Sequence, residues 1–455
     1  MAEIARKIPK RILTGLLSSV AAGVVPRMGA PYIAIGRNEE IEALLSDLEA
    51  VNDGGASMRF VIGKYGSGKS FLIQLVRGFS LERGFITADA DLSPERRICG
   101  AKGTGVATYR ELIRNLASKS SPDGGALMQI IGKWLSDLQS SVAAEGHAIG
   151  SDTFMRELTS RIYSQTRELE AQIGGFDFAT VLTTYYKAYM DGDEDKKSAC
   201  IRWLRGEYST KTEARNAMGI SVGGIIDDDN WYEYIKLLAV FFRKIGYRGF
   251  VVFIDECVNL YKIANRISRE NNYEKLLSMF NDTLQGKAEG LALIFGGTPQ
   301  FLEDTRRGLF SYEALRSRLS DGQFQKDGFK NLIGPVIRLR RLSDDELYAL
   351  VARITGLHAQ NYSWEPRVTN EDMLTFLKIC LERAGADTMI TPREIIRDYI
   401  TVLNILLQNP DTTFLDVVGS GTIALSHGED DENDLIDTQD RPQIITDFSA
   451  ADIEL

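Results

Sequence analysis

Gly63-Lys64-Tyr65-Gly66-Ser67-Gly68-Lys69-Ser70 follows Met58-Arg59-Phe60-Val61-Ile62 and precedes Phe71-Leu72-Ile73-Gln74-Leu75-Val76-Arg77. The first flank has the short apolar run of a buried strand and the second has helical character. The octapeptide between them fits G-x-x-x-x-G-K-[ST] in its strand–loop–helix setting. Its glycines let backbone N–H groups turn inward around phosphate oxygens, and the helix N-terminus adds the positive end of its dipole. In this pattern Lys69 reaches the β and γ phosphates and the Ser70 hydroxyl ligates Mg²⁺. A chance glycine-rich turn would lack both flanks. Gly63, Lys64, Tyr65, Gly66, Ser67, Gly68, Lys69, Ser70 and Phe71 are therefore the expected site for ATP with Mg²⁺.

Such a site needs a second strand that ends in a carboxylate. Gly249-Phe250-Val251-Val252-Phe253-Ile254-Asp255-Glu256 supplies one. Asp255 is expected to hold Mg²⁺ through water, and Glu256 to orient or activate the attacking water. Alone, the same run describes an ordinary strand ending in an acidic turn; beside the phosphate loop the catalytic reading is the stronger. A third strand, Leu291-Ala292-Leu293-Ile294-Phe295-Gly296-Gly297-Thr298-Pro299, ends at Thr298. That residue either senses the γ-phosphate or simply turns the chain. With a further strand over 84–89, the expected fold class is α/β with a parallel sheet.

At 455 residues the chain can bury one large core or two moderate ones. No apolar run reaches the roughly 18 residues that a membrane span requires. The periodicity of Ile12, Leu13, Leu16 and Leu17 predicts a first helix over 10–22. Cys99, Cys200, Cys257 and Cys380 stand far apart. That spacing supports neither a zinc site nor a disulfide framework, and suits a reducing cytoplasm. The net charge is −10, of which −9 falls in 429–455, so the rest of the chain is near neutral and bulk polyanion binding is not indicated.

The three strands in this order resemble an AAA+ ATPase of the initiator-like branch. Ile35-Gly36-Arg37-Asn38-Glu39-Glu40-Ile41 is similar to the segment that contacts adenine there, which assigns Ile35, Gly36 and Arg37 to the nucleotide. The resemblance makes Thr298 the first sensor. In Tyr312-Glu313-Ala314-Leu315-Arg316-Ser317-Arg318-Leu319, it makes Arg318 or Arg316 an arginine finger toward a neighbouring subunit. Thr391-Pro392-Arg393-Glu394-Ile395-Ile396-Arg397 resembles the helix that places a second sensor, Arg393, on the γ-phosphate. Each of these arginines also suits a solvated ion pair.

A narrower resemblance rests on Trp203-Leu204-Arg205-Gly206-Glu207, Gly246-Tyr247-Arg248-Gly249-Phe250 and Gly23-Val24-Val25-Pro26. These are similar to the ATP-binding proteins of bacteriophage-exclusion (BREX) type defence islands. The resemblance implies an antiphage setting, a homo-oligomer, and action on DNA or a helicase-like partner. Three functions stay open: a hydrolysing motor, an ATP-dependent oligomerising switch that recruits a partner with little turnover, and a structural module that keeps nucleotide for folding.

Lys69 and Asp255 lie 186 positions apart, far more than one strand and helix need. Helical periodicity across 108–218 accounts for the excess as an insertion. Ser343-Asp344-Asp345-Glu346 is a capping box, and further helices are expected over 370–384 and 391–407. The expected organisation is 1–100 as the N-terminal helix and first part of the ATPase core, 101–245 as a helical insertion, and 246–341 as the second part. A helical lid over 342–410 and an acidic, partly disordered tail over 411–455 complete it. No winged helix is expected in so short and acidic a segment. Its apolar end, from Ile444 to Leu455, is a candidate docking peptide.

Overall fold

The computed structural model describes residues 8–166, 169, 173–321, 331–383 and 391–419. The candidate docking peptide and most of the acidic tail lie outside the described residues. The chain opens with α1 (Lys10–Ala21) and α2 (Asn38–Asn52), and then β1 (Ser57–Ile62) leads through the phosphate loop to α3 (Lys69–Glu82) and β2 (Ile86–Asp91). Seven described helices separate β2 from the next strand: α4 (Thr104–Arg114), α5 (Leu127–Ala144), α6 (Asp152–Thr166), α7 (Gly175–Asp191), α8 (Glu194–Leu204), α9 (Lys211–Met218) and α10 (Trp231–Lys244). β3 (Phe250–Asp255), α11 (Val258–Tyr261), α12 (Arg266–Leu284), β4 (Leu291–Gly297), α13 (Pro299–Glu303), α14 (Glu313–Leu319) and β5 (Val336–Arg338) follow. α15 (Asp344–Tyr362), α16 (Asn370–Arg383), α17 (Pro392–Gln408) and α18 (Phe414–Val418) complete the described chain.

The strands form one five-stranded sheet in the spatial order β2-β3-β4-β1-β5, with every adjacent pair parallel. β3 and β4 are buried along their whole length, as expected of central strands covered on both faces. β5 was not foreseen: three residues carry no readable alternation. It pairs with β1 over Val336–Arg338, and bonds at both ends extend the ladder, Phe60 N–H donating to the Pro335 carbonyl (2.8 Å) and Leu339 N–H to that of Ile62 (2.7 Å). Arg59, a buried charge within β1, meets Asp47 of α2 at 2.5 and 2.7 Å and donates to the carbonyls of Ile333 and Gly334. Pairing and hydrogen bonding offset its desolvation.

β2 runs two residues later than the 84–89 expected. Gly84, at φ +85°, donates to the Leu81 carbonyl, and Phe85 N–H donates to that of Ser80. These two bonds close α3 as a Schellman motif and delay the strand.

Contacts divide the chain into two compact units that do not follow chain order. One unit comprises 39–64 and 75–339. In it the sheet shares a single apolar core with α4–α10. Phe60 stacks on Phe295 at 5.4 Å, and Phe242 of α10 meets Phe250 of β3 edge-on at 5.2 Å. Asp228, just before α10, accepts from the N–H groups of Gly103, Gly105 and Val106 (2.7–2.9 Å), capping α4 from a distant part of the chain.

The other unit takes the described residues of 1–38, 65–74 and 340–455. Leu13, Leu16 and Leu17 of α1 pack with Leu350 and Ile354 of α15 and with Tyr399 and Leu403 of α17. Capping boxes start α15 at Ser343 and α17 at Thr391, the latter with Pro392 in its first turn. α18 was not expected; it forms because Thr413 and Asp416 make a capping box while Phe414 and Val418 are buried.

Within this unit His358 is fully buried. Trp364 Nε1–H donates to its Nδ1 at 3.0 Å, so the proton sits on Nε2 and is given to Asn404 Oδ1 at 3.0 Å. Burial holds the imidazole below its ordinary pKa of 6.5. Because the unfolded chain takes up the proton first, stability is complete above about pH 6.5 and falls as the pH drops below it. Melting curves between pH 7.5 and 5 are expected to show this loss, and His358→Gln to flatten it. Asn404→Leu, which leaves the buried Nε2–H without an acceptor, is expected to cost about 1–3 kcal/mol by denaturant unfolding.

Candidate active site

All five strands run in the same direction, so their carboxyl ends share one edge, where open α/β sheets bind ligands. The end of β4 organises that edge in the sheet unit. On one side Gly63 N–H, the first of the phosphate loop, donates to the Gly297 carbonyl at 3.1 Å. On the other, Cys257 N–H donates to the Gly296 carbonyl at 3.0 Å. Asp255 is buried at the tip of β3, and its Oδ1 accepts from Glu256 N–H at 2.8 Å. Glu256 has an exposed side chain and φ +57°. A left-handed non-glycine residue costs about 1–3 kcal/mol, and such residues cluster at functional sites.

Asp91 was missed by sequence reading, because a strand ending at 89 leaves it in a loop. The register puts it opposite Asp255. Although Asp91 lies at the exposed end of β2, its carboxyl is pushed up to about 6. Partial desolvation is the first cause; the charges of Asp255, Glu256 and Asp89 follow, and Arg96 opposes them. The signal that could have found it is Asp89-Ala90-Asp91, an alternation whose second acid reaches the same edge.

Thr298 begins α13 as its N-cap, with the hydroxyl oxygen accepting from Phe301 N–H at 3.3 Å. Arg316 and Arg318 lie exposed on α14, and Arg318 Nη1 donates to the Ala314 carbonyl one turn back at 2.8 Å.

The helical unit gathers a second set of the expected residues: Ile35, Gly36, Arg37, Tyr65 to Phe71, and Arg393. Lys69 and Ser70 open α3. Arg37 is buried and donates from Nη2 to the carbonyls of Ser67 (2.9 Å) and Arg340 (2.7 Å). It therefore braces the phosphate loop from beneath. Gly36, at φ +71°, leaves room for the Glu346 carboxyl, and Gly66, at φ +73°, leaves room for the Thr391 side chain. A Cβ at either position would overlap its neighbour as well as strain the backbone.

Three features of this loop suit a bound phosphate. Gly68 is left-handed at φ +89° with open space where a side chain would point. The Ser67 hydroxyl is buried without a hydrogen-bond partner among the described residues, which a ligand oxygen would relieve. The helix behind begins at the loop's lysine. The acidic edge of the sheet unit has the hard oxygen donors that Mg²⁺ prefers.

Residues 8–421 match the family described as BREX system ATP-binding protein BrxC/D, and the chain belongs to that family. No curated protein gives a significant match over the chain. Among the described residues no helix is long and apolar enough to cross a membrane.

The raised Asp91 carboxyl has a sign that can be tested. Its folded value near 6 exceeds its ordinary 3.8. Ionisation is therefore easier in the unfolded chain, and stability falls as the pH rises through that window. In nucleotide-free protein, Asp91→Asn is expected to melt above wild type at pH 7.5. The gap should close as the pH is lowered toward 4.

Proposed function

Starting from this family membership, we propose that the chain is an AAA+ type ATPase that couples nucleotide turnover to conformational change in an antiphage assembly. The observation that carries the reading is the end of β4. There, consecutive carbonyls hold the first residue of the phosphate loop on one side and the turn after Asp255-Glu256 on the other. The two neighbouring strands are thus two inter-strand spacings apart, about 10 Å, a span suited to a phosphate chain and an attacking water.

In this reading the N–H groups of Gly66 to Ser70 and the Lys69 ammonium hold the β and γ phosphates. Glu256 accepts a proton from the water that attacks the γ-phosphorus, and the bridging oxygen leaves with ADP. Thr298 can still donate its hydroxyl hydrogen to that water or to the γ-phosphate, because only its oxygen is used to cap α13. The Ser70 hydroxyl would hold Mg²⁺ directly and Asp255 would hold it through water, and the ion would neutralise phosphate charge. Arg393 reads the γ-phosphate from the N-terminus of α17. Arg318 or Arg316, exposed on α14, is suited to the nucleotide of a neighbouring copy, which makes a homo-oligomer the working form. α4–α10 are read as an insertion into the core and α15–α17 as its lid. The partner is DNA or a helicase-like protein of the defence system, in the cytoplasm.

Steady-state hydrolysis of Mg²⁺-ATP tests the reading, using wild type and Glu256→Gln with and without duplex and single-stranded DNA. The expected result is a measurable rate that DNA raises and the substitution lowers by about 100-fold or more. Tight binding without turnover under every condition would replace the motor with an ATP-dependent switch that oligomerises and recruits a partner.

A further inference from the structure

Tyr65, in the phosphate loop, keeps 75% of its surface exposed, so core packing does not account for an aromatic residue there. What faces it is Arg393, whose guanidinium carbon lies 5.9 Å from the ring centroid. That is within the range at which a ring quadrupole attracts a cation. The stem of the arginine runs past Gly23, where a Cβ would stand 3.6 Å from Arg393 Cδ. One residue along the loop, Gly66 accommodates Thr391, the cap of the helix that carries Arg393. The start of α17 therefore meets the loop at two consecutive residues, one contact depending on an absent side chain and the other on an aromatic face.

Among the described residues no carboxylate pairs with Arg393. The distinction matters chemically. A carboxylate would take guanidinium N–H groups in a bidentate pair and compete with any phosphate for them. A ring face holds the cation and leaves its in-plane donors available. An exposed arginine with no such support samples many rotamers and must lose that freedom when it binds.

We propose that Tyr65 is a positioning residue for Arg393: its ring holds the guanidinium beside the phosphate loop and so gives the site its preference for a nucleoside triphosphate over the diphosphate. The proposal rests on the assignment of Arg393 to the γ-phosphate. The Tyr65 ring acts on this preference through the arginine.

Calorimetric titration of the full chain with Mg²⁺-ADP and with a non-hydrolysable Mg²⁺-ATP analogue gives the triphosphate preference as a ratio of affinities. Tyr65→Ala is expected to lower that ratio about two- to five-fold, the range of an exposed cation–π contact. Tyr65→Phe should restore it, and Tyr65→Ala should have no further effect once Arg393→Ala is present. Equal weakening of both nucleotides by Tyr65→Ala, or the same loss in the Arg393→Ala background, would overturn the proposal by showing that the ring acts independently of the arginine. A silent Tyr65→Ala beside an effective Arg393→Ala overturns it while leaving the arginine's assignment intact. A silent Arg393→Ala removes the assignment and the proposal together.

Discussion

Two adjacent carbonyls at the end of β4, those of Gly296 and Gly297, accept the N–H groups of Cys257 and Gly63. The geometry of the sheet unit follows from this pair. A parallel ladder brings all strand ends to one edge, but it does not say where each strand must stop. Here β4 stops both neighbours at the same height, so the phosphate loop and the Asp255-Glu256 turn leave the sheet together. Glu256 takes its left-handed conformation at the point where the chain turns, and its N–H is given to the carboxylate beside it. A rigid strand end thus sets the place of the two acids, in keeping with buried, fully paired strands behind it.

The helical unit is governed by exclusion of atoms. Gly36 and Gly66 are left-handed positions pressed against the side chains of Glu346 and Thr391. Both of those residues belong to capping boxes. Each helix start is thereby docked onto the segment carrying one of these glycines by a contact that any Cβ would push apart. The buried Arg37 adds the polar counterpart by taking the Ser67 and Arg340 carbonyls with one nitrogen. These two bonds tie the Ile35-Gly36-Arg37 segment to the loop.

Much of this was legible because the motifs carry their own physical reasons. The glycine-rich loop, the apolar runs of β1, β3 and β4, the acids after β3, the capping box at Ser343 and the early Pro392 of α17 are each local patterns, readable within about ten residues. What escaped was non-local. β5 is too short to show alternation and exists through its pairing with β1, a partner nearly 280 positions away. Asp91 was lost because Gly84 and Phe85 close α3 and slide β2 by two residues, an outcome no propensity at 84–89 reveals. The cap formed by Asp228 on α4 joins residues more than 120 positions apart.

By itself the sequence determined a glycine-rich turn between strand and helix, a carboxylate pair after a second buried strand, and membership of an ATP-binding family. Local periodicity and backbone chemistry suffice for those. Tertiary structure alone decided that α1 packs with α15 and α17, that Asp91 stands opposite Asp255, and that Tyr65 faces Arg393. These are pairings between distant segments, set by which apolar faces share a core and by strand register, and neither quantity is written in any single stretch of chain.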